Sequence, residues 1–163
     1  IVRLVGSEMC IRDRNKAIEF YTLSANKGNS YAQFNLAICY ENGDGVEKDM
    51  NKAIELYTLS ANQGNSEAQN KLANYYKNGD GVEKDMTKAI EFYTLSANQG
   101  NSKAQFNLAI FYKNGNDVEK DMTKATEFYT LSANQGNSKA QNSLAICYYH
   151  GDCLLYTSDA ADD

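Results

Sequence analysis

Small and apolar side chains recur along the chain at helical spacing. In the stretch MNKAIELYTLSANQG, residues Ala53, Leu56, Tyr57, Ser60 and Ala61 fall at i, i+3, i+4, i+7 and i+8, one face of a 3.6-residue helix. Asp49 precedes this helix with a carboxylate able to accept from the free backbone N–H groups of a first turn, and Gly64 suits the C′ position behind it. A second helix opens at Ser66, where Gln69 completes a capping-box pattern, and Ala68, Leu72, Ala73 and Tyr76 share its face as far as Asn78-Gly79. The connector GDGVEKD adds Gly81, suited to a turn with positive φ. No two-residue alternation is long enough for a strand. The pattern predicts an all-α chain.

The pair of helices then repeats. Ala17, Ala53, Ala89 and Ala125 stand at equivalent places 36 residues apart, and neighbouring copies are about three-quarters identical. The capping-box pattern returns as Ser30/Gln33, Ser102/Gln105 and Ser138/Gln141. We name Ser30–Asn42 and its equivalents helix A, and Met50–Asn62 and its equivalents helix B. The array starts with a helix B at Asn15–Lys27 that lacks its helix A, and it fades after Asp152 in a helix A that lacks its B. About eight helices result, with three complete A–B pairs. One pair cannot bury its apolar face alone, so the pairs are expected to stack into an α/α solenoid. Both ends should expose apolar surface, which favours self-association through uncapped ends.

Composition narrows the classes. Mean hydropathy is −0.59, and no run approaches the ~20 apolar residues of a membrane span. Lys and Arg, 16 together, are spread evenly and outnumbered by 21 Asp and Glu, which argues against nucleic acid as a partner. The 12 Tyr and 6 Phe are too many for a disordered tail.

The run AxxxLAxxYxxGxGVxxDxxKAxxxYxxSAxxG, here Ala32, Leu36, Ala37, Tyr40, Gly43, Gly45, Val46, Asp49, Lys52, Ala53, Tyr57, Ser60, Ala61 and Gly64, resembles the Sel-1-like repeat, a tetratricopeptide-like helix-pair module. The match recurs through residues 15–152. The resemblance implies a right-handed superhelical solenoid that scaffolds protein complexes, sometimes as an arm of a signalling enzyme such as a kinase. It also implies that helix A lines the concave side. Some relatives are secreted, with a disulfide in each repeat and links to β-lactam binding; Cys39 and Cys147, three repeats apart, do not supply that pattern. Phe20, Leu56, Phe92 or Phe128 stands where the family carries Trp. Asp117 replaces the second connector glycine and is expected to strain its turn, and Thr126 replaces an Ile. The plain 34-residue tetratricopeptide repeat fits less well, given the spacing, the GxG connector and the absence of proline.

Residues 1–14 and 153–163 share nothing with the repeat. MCIRD and the following Arg can be encoded by DNA whose reverse complement translates as CLLYTS, the run at Cys153–Ser158. Both ends are therefore expected to derive from sequencing-adapter DNA, which makes residues 15–152 a piece of a longer reading frame.

No residue pattern points to catalysis, a metal or a cofactor. The repeats lack P-loop, nucleophile-elbow and kinase motifs, and hydrolysis by the repeats themselves would lack a catalytic constellation. The connector carboxylates miss calcium-loop spacing. His150, the lone histidine, reads as a surface residue, and Cys39 and Cys147 read as small apolar side chains.

The informative feature is where the copies differ. Helix B is nearly constant, whereas helix A varies on one side, opposite the constant Ala32, Leu36 and Tyr40. The candidate partner-binding residues on that side are Tyr31, Phe34 and Ile38 in the first copy; Glu67, Asn70, Lys71, Asn74 and Lys77 in the second; and Lys103, Phe106, Ile110 and Lys113 in the third. Phe34, Ile38, Phe106 and Ile110 would anchor an apolar peptide, and the lysines would form a basic rim for an acidic one. The alternative is that exposed positions drift while the apolar ones pack between repeats.

Overall fold

The computed structural model describes residues 2–151, with side chains from residue 12 onward. Its helices are α1 (Val2–Asn26), α2 (Ser30–Asn42), α3 (Met50–Asn62), α4 (Ser66–Asn78), α5 (Met86–Asn98), α6 (Ser102–Asn114), α7 (Met122–Asn134) and α8 (Ser138–His150), with no strand among the described residues. Helices A are α2, α4, α6 and α8; helices B are α3, α5 and α7, with α1 in the place of the first. The chain divides into two compact units, one ending at Phe92 within α5 and the other beginning at Tyr93.

In the first unit α1 packs on α2, α2 on α3 and α3 on α4. Ala37, Ala53, Tyr57, Ala61, Ala68, Leu72 and Tyr75 form its main core, and Ala25, Ala32 and Leu36 a smaller one. In the second unit α6 packs on α7 and α7 on α8, around Ala109, Ala125, Tyr129, Ala133, Ala140 and Cys147. Alanine at the crossing points lets the helices approach closely, and Tyr57, Tyr93 and Tyr129 are the largest fully buried side chains.

Two joints repeat along the chain. Helix B ends in a Schellman motif: Gly64 N–H donates to Ala61 O at 2.9 Å and Asn65 N–H to Ser60 O at 3.2 Å, with Gly64 at φ +87°. No atom lies within 4 Å of the place a Gly64 Cβ would occupy, so the left-handed backbone rather than space selects glycine there. Helix A ends at a left-handed Gly43 or Gly79, and the connector returns so that Asp49 N–H donates to Tyr40 O at 3.0 Å and Asp85 N–H to Tyr76 O at 2.9 Å. Asp49 then caps α3 by accepting from Lys52 N–H at 3.0 Å.

Two expectations need correcting. Ser30, Ser66, Ser102 and Ser138 do not cap helix A. The asparagine before each does: Asn65 is extended (φ −68°, ψ 111°) and its Oδ1 accepts from Ala68 N–H at 3.0 Å, while Ser66 is already the first helical residue. The glutamines do not reach back either. Gln69 Nε2 donates to Ala61 O at 3.1 Å and Gln105 Nε2 to Ala97 O at 3.2 Å, tying each helix A to the end of the helix B before it. The first helix is also longer than Asn15–Lys27. Asp13 holds the place of the cap Asp49, but among the described residues no helix A stands before it to offer a tyrosine carbonyl that would fix a connector. With no glycine or proline between Ser7 and Lys27, the helix runs through it.

Asp117 is the one non-glycine with positive φ among the described residues, at +60°, where Gly45 and Gly81 take +74° and +72°. The strained turn foreseen from the sequence is present.

Candidate interaction surface

In the first unit, the fixed side of helix A is closed: Ala68, Leu72 and Ala73 are at most 1% exposed. On the varied side Tyr31 and Glu67 are exposed, and Phe34, Ile38, Lys71, Asn74 and Lys77 are half-buried. Phe34 and Ile38 lie against the core, and the Phe34 ring sits 5.6 Å from that of Tyr57. Asn70 is buried with Oδ1 unpaired, and Asn74 Nδ2 donates to Asn70 O at 2.6 Å. In the second unit Lys103 is exposed, whereas Phe106, Ile110 and Lys113 are half-buried. The Phe106 ring lies 5.8 Å from Tyr129. The apolar candidates of both units therefore give part of their surface to the next helix B and leave part open.

Lys71 is not a free cation. Its Nζ donates to both carboxylate oxygens of Glu41 at 2.9 Å, and it lies 5.9 Å from the centroid of the Tyr57 ring. Tyr57 Oη donates to the same carboxylate. Burial works to raise the Glu41 pKa, but the Tyr57 hydroxyl and the Lys71 ammonium outweigh it and hold the carboxyl below its ordinary value. Burial first, then Glu41, pushes the ionisation of Tyr57 and of Tyr75 well upward. The Tyr75 hydroxyl lies near Glu41 without a hydrogen bond of good geometry. Glu41 and Lys71 each occur in one copy only, so this ion pair is particular to the α2, α3 and α4 neighbourhood.

A second set of lysines is committed to the repeat itself. Lys52 and Lys88 in the first unit, and Lys124 in the second, pair with Asp49, Asp85 and Asp121 at 3.4–3.6 Å. They also lie 5.1–5.3 Å from the rings of Tyr40, Tyr76 and Tyr112. The backbone N–H of Lys88, ahead of its charge, lowers the Asp85 pKa; Lys124 does the same for Asp121.

Sequence reasoning missed one feature. Leu23 and Leu59 in the first unit, and Leu95 and Leu131 in the second, are each about half exposed on helix B. The available signal was their angular position: Leu59 lies off the stripe formed by Ala53, Leu56, Tyr57, Ser60 and Ala61. No three His, Cys, Asp or Glu side chains come together to hold a metal among the described residues. Cys39 is half-buried, its thiol pKa raised by burial and then by Asp44, and Cys147 is fully enclosed. The side chain of Cys10, and Cys153 with the rest of 152–163, lie outside the described residues. No helix of the described residues is long and apolar enough to cross a membrane.

Antiparallel helix pairs at a fixed period, joined by the same bonds at each turn, define a helical-hairpin repeat of the solenoid class. The family model for the Sel1 repeat matches residues 3–29, 30–65, 66–101, 102–137 and 138–159, and the chain belongs to that family. Among solved structures, a Sel1 repeat protein from Oxalobacter formigenes is similar at 35% identity and TM-score 0.79, with 85% of this chain and 56% of that one covered. The protein c5321, a protective antigen of uropathogenic Escherichia coli with an SLR fold, is 38% identical at TM-score 0.77, covering 85% of this chain and 30% of that one. Helicobacter pylori cysteine rich protein B, at 19% identity and TM-score 0.63, covers 82% of this chain and 96% of that one and shares the fold. The chain thus spans little more than half of the first relative and under a third of the second. A comparison with curated proteins finds no match. Repeats of this family are generally protein-interaction scaffolds.

Proposed function

We propose that the chain is a non-catalytic scaffold that holds a partner peptide or domain against the varied side of its helices A. The observation that carries this reading is the contrast across those helices. In α4 and α6 the alanines and leucine of the side that repeats are closed, while the side that varies presents half-open Phe34, Ile38, Phe106 and Ile110 beside exposed Tyr31, Glu67 and Lys103. Within the basic rim, Lys71 is held by Glu41, and Lys103 and Lys113 of the second unit carry the test for an acidic partner. Residues 15–152 are, in the same reading, the repeat array of a longer protein, with adapter-derived segments on either side; sequencing the source DNA through both junctions tests that part.

The functional test is selection of binders from a displayed peptide library, followed by the Phe106→Ser/Ile110→Ser variant. Affinity for the selected peptides is expected to fall about tenfold or more while the helical circular dichroism is kept. Unchanged affinity in a folded variant overturns the assignment, and Lys103→Glu with Lys113→Glu reports whether the peptide is acidic.

A further inference from the structure

Exposure and variation part company on helix B. The second residue of helix A is open in every copy and is Tyr31, Glu67, Lys103 or Lys139. The second residue of helix B is open as well and has also changed, from Asn51 to Thr123. Solvent-facing positions in this chain are therefore free to change. Further along helix B they do not. Glu55, Leu59 and Asn62 on α3 are exposed and recur unaltered as the exposed Glu127, Leu131 and Asn134 on α7, and α1 and α5 carry the same three residues. At helical spacing each set falls within a sector of about 60°, a single stripe.

Packing within the chain does not account for the constancy. Ala53, Tyr57 and Ser60 are fixed by their enclosure, and Lys52 by Asp49 at 3.6 Å and the Tyr40 ring at 5.3 Å. The Glu55 and Glu127 side chains make no hydrogen bond or ion pair among the described residues. Leu23, Leu59, Leu95 and Leu131 are 52%, 51%, 50% and 49% exposed, so the opening is the same in every helix B, whatever its neighbours. One half-open leucine is ordinary. Four that stay leucine, each one turn beyond an unpaired carboxylate, are not.

We propose that this stripe is a second docking surface, one that takes a basic amphipathic helix of a partner protein. The apolar side of that helix covers Leu59 or Leu131, and a Lys or Arg one turn away pairs with Glu55 or Glu127. Charge selects the occupant. Lys52 and Lys124 are already engaged, so the free charge beside each leucine is negative, on a chain whose net charge is −5. A second copy would set carboxylate against carboxylate, and an anionic lipid surface would meet the same repulsion. The stripe lies on helix B, so its test does not depend on the helix-A reading.

The probe is a synthetic amphipathic helix with leucine on one face and lysine on its flanks, set against a second peptide with glutamate in place of lysine. Fluorescence anisotropy with the full chain at about 0.15 M salt is expected to show the lysine peptide binding at least about tenfold more tightly. Leu23→Gln, Leu59→Gln, Leu95→Gln and Leu131→Gln combined place a good helix former at open sites, so the helical spectrum is kept while that affinity falls about tenfold or more. Glu19→Lys, Glu55→Lys, Glu91→Lys and Glu127→Lys combined reverse the preference between the two peptides. Glu47→Lys, Glu83→Lys and Glu119→Lys on the connectors, and separately the Phe106→Ser/Ile110→Ser pair, change it by no more than about threefold. A lysine peptide that does not bind overturns the proposal, as does a leucine variant that binds like wild type or a connector variant that loses as much. A wild-type chain that dimerises in sedimentation, and no longer does so with the leucines replaced, overturns it too, since the stripe then faces a second copy.

Discussion

The stretches NKAIEFYTLSAN in α1 and NKAIELYTLSAN in α3 differ at one residue, yet they live in different surroundings. Ala53, Tyr57 and Ser60 are fully enclosed, whereas Ala17 is exposed and Tyr21 and Ser24 are half-buried. Only the side facing the following helix is alike, with Ala25 at 6% and Ala61 at 3% exposure. The same residues make a core or a surface according to whether a helix A precedes them. In this fold burial belongs to the joint and not to the repeat.

The sharpest way to break that comparison is to place the same charge in both helices. Ala53→Arg forces a guanidinium into a closed crossing and is expected to cost more than about 4 kcal/mol. Ala17→Arg is expected to stay within about 0.5 kcal/mol in chemical denaturation of dilute, monomeric chain. Equal losses would mean that α1 is covered in solution. Next in size, Tyr57→Ala is expected to cost about 3–5 kcal/mol and Tyr21→Ala less than half as much, read by the same denaturation.

A smaller effect separates the α2–α4 neighbourhood from its counterparts. Glu41→Gln removes the charge that Tyr57 and Lys71 hold and is expected to cost about 1–3 kcal/mol at neutral pH. Because the folded Glu41 pKa lies below its ordinary value, its stabilisation is complete above the unfolded pKa and is lost as pH falls through the folded one. The variant should therefore lose the corresponding part of the acid limb of a stability–pH profile; an unchanged limb would show that the pair does not form. The smallest change is Asp117→Gly, which relieves a left-handed turn and should stabilise by about 0.5–1 kcal/mol, seen as a small rise in Tm.

The periodic stripe made the helices legible, and seven of the eight ran as the pattern predicted, since alanine and tyrosine at helical spacing leave one workable packing. The cap was misread by one residue because Asn65 and Ser66 are both good capping residues, and only backbone angles decide which of them stands outside the helix. The length of α1 was hidden for another reason. Asp13 carries the right side chain for a cap, but the turn before it depends on a carbonyl from a helix A that is not among the described residues. For the candidate surface, variation located a side of helix A. It did not reveal that Phe34 and Phe106 lean on Tyr57 and Tyr129, or that Lys71 is engaged, because both facts depend on contacts between copies. The exposed leucines of helix B stayed unnoticed because they are constant.

The bonds between successive copies have a bearing on heredity. Ser60 Oγ donates to Ser30 O at 2.7 Å in the first unit, and Ser132 Oγ to Ser102 O at 2.6 Å in the second. Gln63 meets Gln33 at 2.6 Å and Gln135 meets Gln105 at 2.8 Å. The serines of these joints are present in every copy, and the glutamines in every copy but the first, where Lys27 stands in the place of Gln63, so unequal crossing-over among the later copies could add or delete a whole unit and leave each remaining seam complete. The Glu41–Lys71 pair is the exception. It fits only when these two copies are adjacent, so it acts as a mark of address in an otherwise interchangeable series, and a shuffled array would betray itself there first.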